Sequence, residues 1–332
     1  MRCSRCRPRS STRSRRVAAV NTPTEWRAME PQRPLWTTYA MMLTVAVIWG
    51  AAWPVGRALA LAAPPWSAMA LRYCFAVPLF FMWLHFAEGV RVPPRSEWRA
   101  LALMGVTSVV LYQIGFIFGM RETAASDASL IIALNPIMVA LLSVPLLGYR
   151  LTRNASIGLA SGFAGVALIF LASPNEQIPL EQRLYGNGLI LFGAAAYSIY
   201  TVTLRGYLLR GGSQSPLGAL TWASLIGTLL LLPPMLAEQP WEHAWTMDEW
   251  AFLAYLGVLS TVVCYAFYAM GVADIGAPRA ASFINLVPIF GIGTAVMWPA
   301  LNEQFGLVHV ASFALVFVGV RLVNTQPPEG VD

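Results

Sequence analysis

The sequence predicts an all-α integral membrane protein with ten transmembrane helices, arranged as two inverted five-helix repeats. Of its 332 residues, 57% are hydrophobic and only 11% are charged, whereas a soluble domain carries roughly a quarter charged residues. Ten apolar segments follow one another, each long enough to cross a bilayer as a helix. A short sequence pattern also recurs in corresponding segments of the two halves.

The apolar segments follow an amino-terminal region rich in Arg, Ser and Pro. Residues 1–36 have the composition of a disordered tail, which we expect in the cytoplasm. Residues 37–173 form the predicted first repeat, 174–323 the second, and 324–332 a cytoplasmic carboxy-terminal tail. The predicted helices cover residues 37–60, 66–87, 98–119, 124–147, 154–172, 186–208, 215–236, 248–270, 276–300 and 305–323.

The distribution of arginine predicts the orientation of these helices. With the amino terminus inside the cell, 18 of the 22 arginines fall on the cytoplasmic side, while Arg57, Arg121 and Arg183 fall outside and Arg72 lies within a segment. Positive charge collects on the cytoplasmic side of membrane proteins. Because a missed or additional span would scramble the alternation, the bias also favours ten helices. We therefore expect a multi-pass protein of the inner (plasma) membrane with both termini in the cytoplasm.

The charged residues and cysteines exclude several kinds of site. Every basic residue is arginine, so there is no lysine for a phosphate-binding P-loop or a Schiff base, and ATP-driven pumping by this chain is excluded. The net charge of +6 reflects membrane orientation, so we expect no nucleic-acid partner. Cys3 and Cys6 have the spacing of metal ligands, but a structural zinc site needs about four. The sequence predicts no metal and no cofactor.

Asparagine and proline residues recur at corresponding positions of the two halves. The fourth segment contains Asn135-Pro136, and the ninth contains Asn285 three residues before Pro288. Because each half has five helices, an odd number, the second copy is inverted in the membrane, as in transporters that bind substrate between their halves near the midplane. The segments that follow share their spacing, at Tyr149, Gly158 and Gly165 in the first half and at Glu303, Ser312 and Gly319 in the second.

Short motifs accompany the repeat: Trp49-Gly50, Ala70-Leu71-Arg72-Tyr73, Asn135-Pro136, Leu147-Gly148-Tyr149-Arg150-Leu151, Asn302-Glu303 and Gly319-Val320. In order and spacing they resemble the drug/metabolite transporter superfamily, specifically its EamA-type ten-helix exporters, of which the YddG-like exporters are one branch. The resemblance covers about residues 37–323 and departs from the family at Tyr149, where glutamate is usual. It implies a transporter fold with cytoplasmic termini and export of amino acids, other small metabolites or cationic drugs.

Arg72 is the basic residue that lies well inside a predicted helix. It follows Trp66 by six residues, about 9 Å at 1.5 Å per residue. One interpretation is a cationic anchor for a substrate carboxylate; the other is an arginine that stabilises the fold by bonding to helix carbonyls. Charges inside a membrane are costly and usually functional, so Arg72 is a candidate substrate-binding residue.

The prolines predict a polar spot near the middle of the membrane. Pro136 and Pro288 lack an N–H, which frees a carbonyl one turn earlier in each helix. Beside these carbonyls, Asn135 and Asn285 are candidates for binding ammonium or hydroxyl groups. The alternative is two kinks in which each asparagine mends the helix. Both prolines are predicted hinges.

Other mid-helix side chains complete the predicted substrate site. They are Gln113, Trp49, Tyr197 and Tyr265. Aromatic rings stack on flat groups or hold a cation, which suits aromatic amino acids or flat cationic drugs. The alternative is ordinary packing between helices.

The sequence says less about energy coupling than about the substrate site. A proton relay at the midplane requires Asp, Glu or His at that depth, and the carboxylates, Asp127 and Glu303 among them, lie near segment ends. This pattern favours a facilitator or an exchanger, with Glu303 as the remaining candidate for coupling.

The sequence as a whole predicts a secondary transporter that exports small metabolites, such as amino acids, or cationic drugs by alternating access. Its partners are a small-molecule substrate and the lipid bilayer, and it acts as a monomer or a homodimer. An enzyme is not expected, because neither a histidine pair nor a carboxylate pair occurs in one segment. Two alternatives stay open: a membrane sensor or assembly subunit without transport, and an importer or exchanger of another metabolite.

Overall fold

The computed structural model describes residues 34–147, 152–175, 177–301 and 303–324. Within these ranges the regular structure is helical throughout, which confirms the predicted all-α membrane fold class. Cys3, Cys6 and Tyr149 lie outside the described residues, as do nearly all residues of the two predicted tails.

Nine helices in the described ranges are long and apolar enough to cross a membrane. A further helix, α10 (Leu307–Asn324), is shorter, with an apolar stretch of Leu307–Val323. The tenth predicted span therefore rests on the shortest of the helices. The nine are α1 (Leu35–Ala62), α2 (Pro65–Ala87), α3 (Trp98–Glu122), α4 (Ala125–Leu146), α5 (Arg153–Ala172), α6 (Leu180–Leu209), α7 (Pro216–Ala237), α8 (Met247–Ile275) and α9 (Ala277–Val296).

Helices α4 and α9 are both interrupted just before a proline. In α4 the helix ends at Ile132 and resumes at Asn135. In α9 a 3₁₀ turn spans Phe283–Leu286, and the α-helix resumes directly after it at Val287. Proline cannot donate the hydrogen bond that a continuous helix requires at its position, so both breaks follow from Pro136 and Pro288.

Helices α3 and α8 share a second irregularity. Each contains a π-helical segment, Val106–Leu111 in α3 and Tyr255–Val263 in α8. π-Helical turns are rare and are frequently found at functional sites. As the third and fourth helices of each predicted half carry matching irregularities, the backbone has the pattern expected of a duplicated five-helix unit.

Helices α5 and α10 pack closely at one side of the bundle. Gly158 and Gly319 face each other across this contact: a Cβ on Gly319 would lie 2.5 Å from the Gly158 carbonyl oxygen. Farther along, the Ser312 hydroxyl donates to the Gly165 carbonyl at 2.7 Å. The small residues of α5 therefore allow close approach to α10, as small residues do between membrane helices generally.

Candidate functional site

A narrow cavity lies at the centre of the bundle, between the two predicted halves. Its volume is about 20 Å³, which is room for about one water molecule. The conformation is therefore closed around the site, and a metabolite enters only when the lining side chains separate. Seven helices supply the lining: Trp49, Ala52 and Trp53 from α1, Arg72 from α2, Tyr112 and Phe116 from α3, Ile132 from α4, Tyr197 from α6, Ser260 from α8, and Ile284 and Val287 from α9.

The irregular parts of the helices converge on this cavity. Ile132 is the last residue before the break in α4, and Ile284 lies in the 3₁₀ turn of α9. Ser260 belongs to the π-helical segment of α8. Membrane proteins tolerate irregular backbone at depth where it lines a cavity or is buried in protein. Substrate sites of transporters with inverted repeats are built from such broken helices.

Arg72 is held inside the bundle by three neutral side chains. Its Nε donates to the Thr261 hydroxyl at 2.7 Å, and its terminal nitrogens donate to the Gln113 side-chain oxygen and the Ser260 hydroxyl, each at 3.3 Å. Gln113 in turn donates to the Tyr73 hydroxyl at 3.2 Å. The predicted residues Arg72 and Gln113 thus share one hydrogen-bonded network, with Gln113 behind the cavity wall.

The positive charge of Arg72 has no carboxylate counterpart. The side chain is only 3% exposed, and in the described part of the chain no Asp or Glu lies within 4.0 Å of it. Its guanidinium carbon instead lies 5.7 Å from the ring centre of Phe116. The guanidinium of Arg72 therefore borders the cavity with neutral acceptors and an aromatic ring as its neighbours.

Aromatic rings form much of the cavity wall. Trp49 packs edge-on against Tyr197 and Tyr265, with ring centres 5.7 and 5.6 Å apart, and its indole N–H donates to the Ser260 carbonyl at 2.9 Å. Tyr112 lies 5.2 Å from Tyr197. Of the predicted aromatic residues, Trp49 and Tyr197 line the cavity, while Tyr265 supports them from behind.

The two asparagines lie beside the cavity and not in its wall. Asn135 donates to the Ser198 hydroxyl at 2.9 Å, which ties the break in α4 to α6. Asn285, in the 3₁₀ turn of α9, lies between the lining residues Ile284 and Val287 in the sequence. The side-chain oxygens of both asparagines are buried and have no hydrogen-bond partner among the described residues. The same is true of the Tyr197 hydroxyl. Buried polar atoms without a partner call for a water or a ligand.

Glu303, the predicted coupling residue, does not line the cavity and lies at the end of the bundle predicted to face outside. Its two carboxylate oxygens accept from the backbone N–H groups of Ala125 and Ser126 at 2.7 and 2.8 Å. The Nε of Arg57 is 3.6 Å from the same carboxylate. Negative charge at a helix amino terminus is stabilising, so the geometry makes Glu303 a cap of α4.

Sequence reasoning missed several residues that the fold brings together. Phe116 lines the cavity, and Ser260 and Thr261 hold Arg72. The adjacent Ser260-Thr261 pair in an apolar segment is a polar signal that the sequence does carry. Asp127 and His309 touch at 3.1 Å although 182 positions separate them, and no local pattern predicts that contact.

Comparison with known proteins shows which family this chain resembles. The EamA-like transporter family matches residues 36–171 and again residues 184–325. The uncharacterized transporters YyaM and YetK of Bacillus subtilis are 25% and 24% identical over 294 and 296 residues; the alignments cover 85% and 88% of this chain and 92% and 88% of those proteins. A probable terminal-alkyne amino-acid exporter of Streptantibioticus cattleyicolor is 27% identical over 238 residues, which are 72% of this chain and 77% of the relative.

A solved crystal structure has the same fold. It superposes with a TM-score of 0.59 at 17% identity and covers 87% of this chain and 96% of its own. The two family matches together span well over half of the sequence. The chain therefore belongs to the EamA-like transporter family and is a membrane transporter of the drug/metabolite transporter superfamily.

Proposed function

We propose that this protein exports small metabolites that carry a carboxylate, namely amino acids, by alternating access of its two halves around the central cavity. The observation that carries the proposal is Arg72: a buried cation in the cavity wall without a carboxylate partner among the described residues. A substrate carboxylate would supply the missing counter-charge.

The electrostatics favour this class of substrate over cationic drugs. Two unit charges about 4 Å apart interact by roughly 4 kcal/mol at the effective dielectric constant of about 20 that describes partly buried sites. With Arg72 in the wall, that energy favours a carboxylate and opposes a permanent cation. An amino acid also has an ammonium group, for which the rings of Trp49 and Tyr197 in the cavity wall are candidate cation–π partners.

The relatives support the same substrate class. One of them is a probable terminal-alkyne amino-acid exporter, aligned with 72% of this chain. The apolar lining from Ile132, Val287 and Phe116 suits an amino acid with an apolar or aromatic side chain.

The closed cavity fits a carrier that opens to one side at a time. In this proposal the protein lies in the plasma membrane with ten helices in two inverted halves, and both of its termini are in the cytoplasm. Pro136 and Pro288 act as hinges. The two breaks border the cavity through Ile132 and Ile284, so bending there widens or closes it.

Counterflow in proteoliposomes tests the proposal. Vesicles are loaded with unlabelled phenylalanine or propargylglycine, a terminal-alkyne amino acid, and diluted into the labelled compound; ethidium serves as the cationic probe. We expect accumulation of labelled amino acid that Arg72→Gln abolishes, and no accumulation of ethidium. Counterflow of ethidium alone would replace amino acids with cations as substrates, and failure of every compound would favour the sensor or assembly subunit.

A further inference from the structure

A second buried polar site lies at the end of the bundle that is predicted to face outside, away from the cavity. Asp127, in the first turn of α4, and His309, in the first turn of α10, are both fully buried. The His309 Nε2 is 3.1 Å from the Asp127 Oδ1. The same oxygen accepts from the Ser173 hydroxyl at 2.8 Å and from the Asn175 amide at 3.0 Å. The pair joins a helix of the first predicted half to a helix of the second.

Charged groups from the neighbouring elements surround this pair. Arg57 of α1 interacts with both Glu303 and Asp127. Arg183 of α6 donates to the carbonyls of Ser173 and Asn175 at 3.0 and 3.2 Å. With His309 neutral, the two arginines balance Asp127 and Glu303, and the closed cluster carries no net charge.

Hydrogen bonding fixes where the protons lie in the closed state. The Nδ1 of His309 accepts from the Gly306 backbone N–H at 3.2 Å, so Nδ1 carries no proton there. The ring proton then resides on Nε2 and is donated to Asp127. The other oxygen of Asp127, Oδ2, is buried and has no hydrogen-bond partner in the described residues.

A further proton does not fit this arrangement at either position. On the Nδ1 of His309 it would face the Gly306 N–H, another donor. On the Oδ2 of Asp127 it would give a buried hydroxyl without an acceptor in the described residues. In both cases the cluster would gain a net positive charge out of contact with water. If α4 and α10 separate at this end, water solvates either proton, so the open state binds it more tightly.

The cluster is mechanically close to the cavity. Asp127 and the lining residue Ile132 lie in the same unbroken segment Ala125–Ile132, five residues or about 7.5 Å apart at 1.5 Å per residue. Arg57 follows the lining residue Trp53 by four residues, about one turn, in α1. Two continuous helical segments therefore connect the cluster to the cavity wall.

We propose that Asp127 and His309 form a proton-binding site that locks the outer end of the transporter, and that uptake of a second proton from the outer solution by the pair opens it. The proton adds to Asp127 Oδ2 or His309 Nδ1 on opening and returns to water on closure. The site goes beyond the proposed export function, since it requires no particular substrate. Sequence reasoning favoured a facilitator or exchanger because it placed no Asp, Glu or His at the midplane; this site lies elsewhere.

Hydrogen–deuterium exchange of the intact protein in lipid nanodiscs, without substrate, tests the proposal. The reporter is the segment 303–309, whose Gly306 N–H bonds to His309. Since one proton is taken up on opening, the open-to-closed ratio rises by up to tenfold for each unit by which pH falls. After correction for intrinsic exchange, we expect that acceleration as the pH is lowered from about 8 to about 5. Asp127→Asn and His309→Gln are each expected to remove the pH dependence.

A matched histidine–carboxylate pair supplies the control. His243 and Glu249 are 2.9 Å apart in the α7–α8 region, within one predicted half, so His243→Gln is expected to leave the pH dependence of segment 303–309 unchanged. A pH-independent corrected rate in the unmodified protein overturns the proposal, whether or not the variants fold. Loss of the dependence in His243→Gln would also overturn it. Export is tested separately by counterflow through the cavity, so failure of this site and failure of the export function are distinguishable.

Discussion

Replacement of Arg72 by glutamine removes the buried positive charge at the cavity and keeps a side chain that can form hydrogen bonds. If a substrate carboxylate binds this guanidinium, the variant loses a hydrogen bond between charged groups, which contributes about 1.5 to 3 kcal/mol. At 1.4 kcal/mol per tenfold change, the dissociation constant for the amino acid rises about 10- to 150-fold.

Arg72→Gln is expected to change the stability of the fold much less than it changes substrate binding. Arg72 gives up hydrogen bonds to Thr261, Gln113 and Ser260, but its substitution also ends the cost of holding a charge in a membrane interior without a counter-ion. These effects oppose each other, so the melting temperature in detergent is expected to shift by only a few degrees.

Isothermal titration of the purified protein with phenylalanine or propargylglycine measures the effect, with circular dichroism melting alongside. Arg121→Gln, in the last turn of α3 and outside the cavity lining, is the matched control and is expected to bind like the unmodified protein. Unchanged affinity in Arg72→Gln would refute the carboxylate anchor. A large loss of stability without loss of affinity would instead make Arg72 a residue that stabilises the fold.

Further substitutions test the packing, the aromatic wall and one surface carboxylate. Gly319→Ala places a Cβ 2.5 Å from the Gly158 carbonyl oxygen and is expected to lower the unfolding free energy by about 1–3 kcal/mol in denaturation measurements, whereas Gly188→Ala, with open space around its Cβ, is not; equal stability of the two variants would contradict the close α5–α10 contact. Trp49→Phe loses the bond to the Ser260 carbonyl and is expected to weaken amino-acid binding severalfold in titration, while unchanged affinity would place Trp49 outside the site. Burial raises the pKa of Glu97, but hydrogen bonds from Tyr207 and Ser213 outweigh it and leave the pKa below the ordinary 4.5. The stabilisation from its charged form is therefore complete above about pH 4.5 and is lost as pH falls through the lower folded pKa; the difference in melting temperature between the unmodified protein and Glu97→Gln is expected to shrink on acidification, and a constant difference would contradict it.

The fold class followed from features that act locally. Hydropathy runs of about twenty residues identify helices because the bilayer has a fixed thickness and backbone groups have no other partners there. The prolines at 136 and 288 predicted where α4 and α9 lose their hydrogen bonds, and the structure has breaks just before both. The π-helical segment Tyr255–Val263 had no such signal, since its residues are as apolar as those of a regular helix.

The site was predictable only in part. The cost of burying charge identified Arg72, and the mid-helix position of Trp49 and Tyr197 identified two residues of the wall. The rotation of each helix about its axis decides which polar residues face the cavity. In a helix that is surrounded by apolar material, the hydrophobic periodicity does not reveal this rotation. Asn135, for example, was predicted in the site but faces Ser198 of α6. The contact between Asp127 and His309 depends on the packing of α10 against α4, which no single segment encodes.

The most direct test of the central claim is the amino-acid content of the medium around cells that overproduce this protein, compared with cells that carry Arg72→Gln at equal membrane abundance. The account predicts that one or more amino acids accumulate outside only with the unmodified protein. Equal accumulation with both proteins would contradict the role of Arg72, and no accumulation above an empty control would contradict amino-acid export itself.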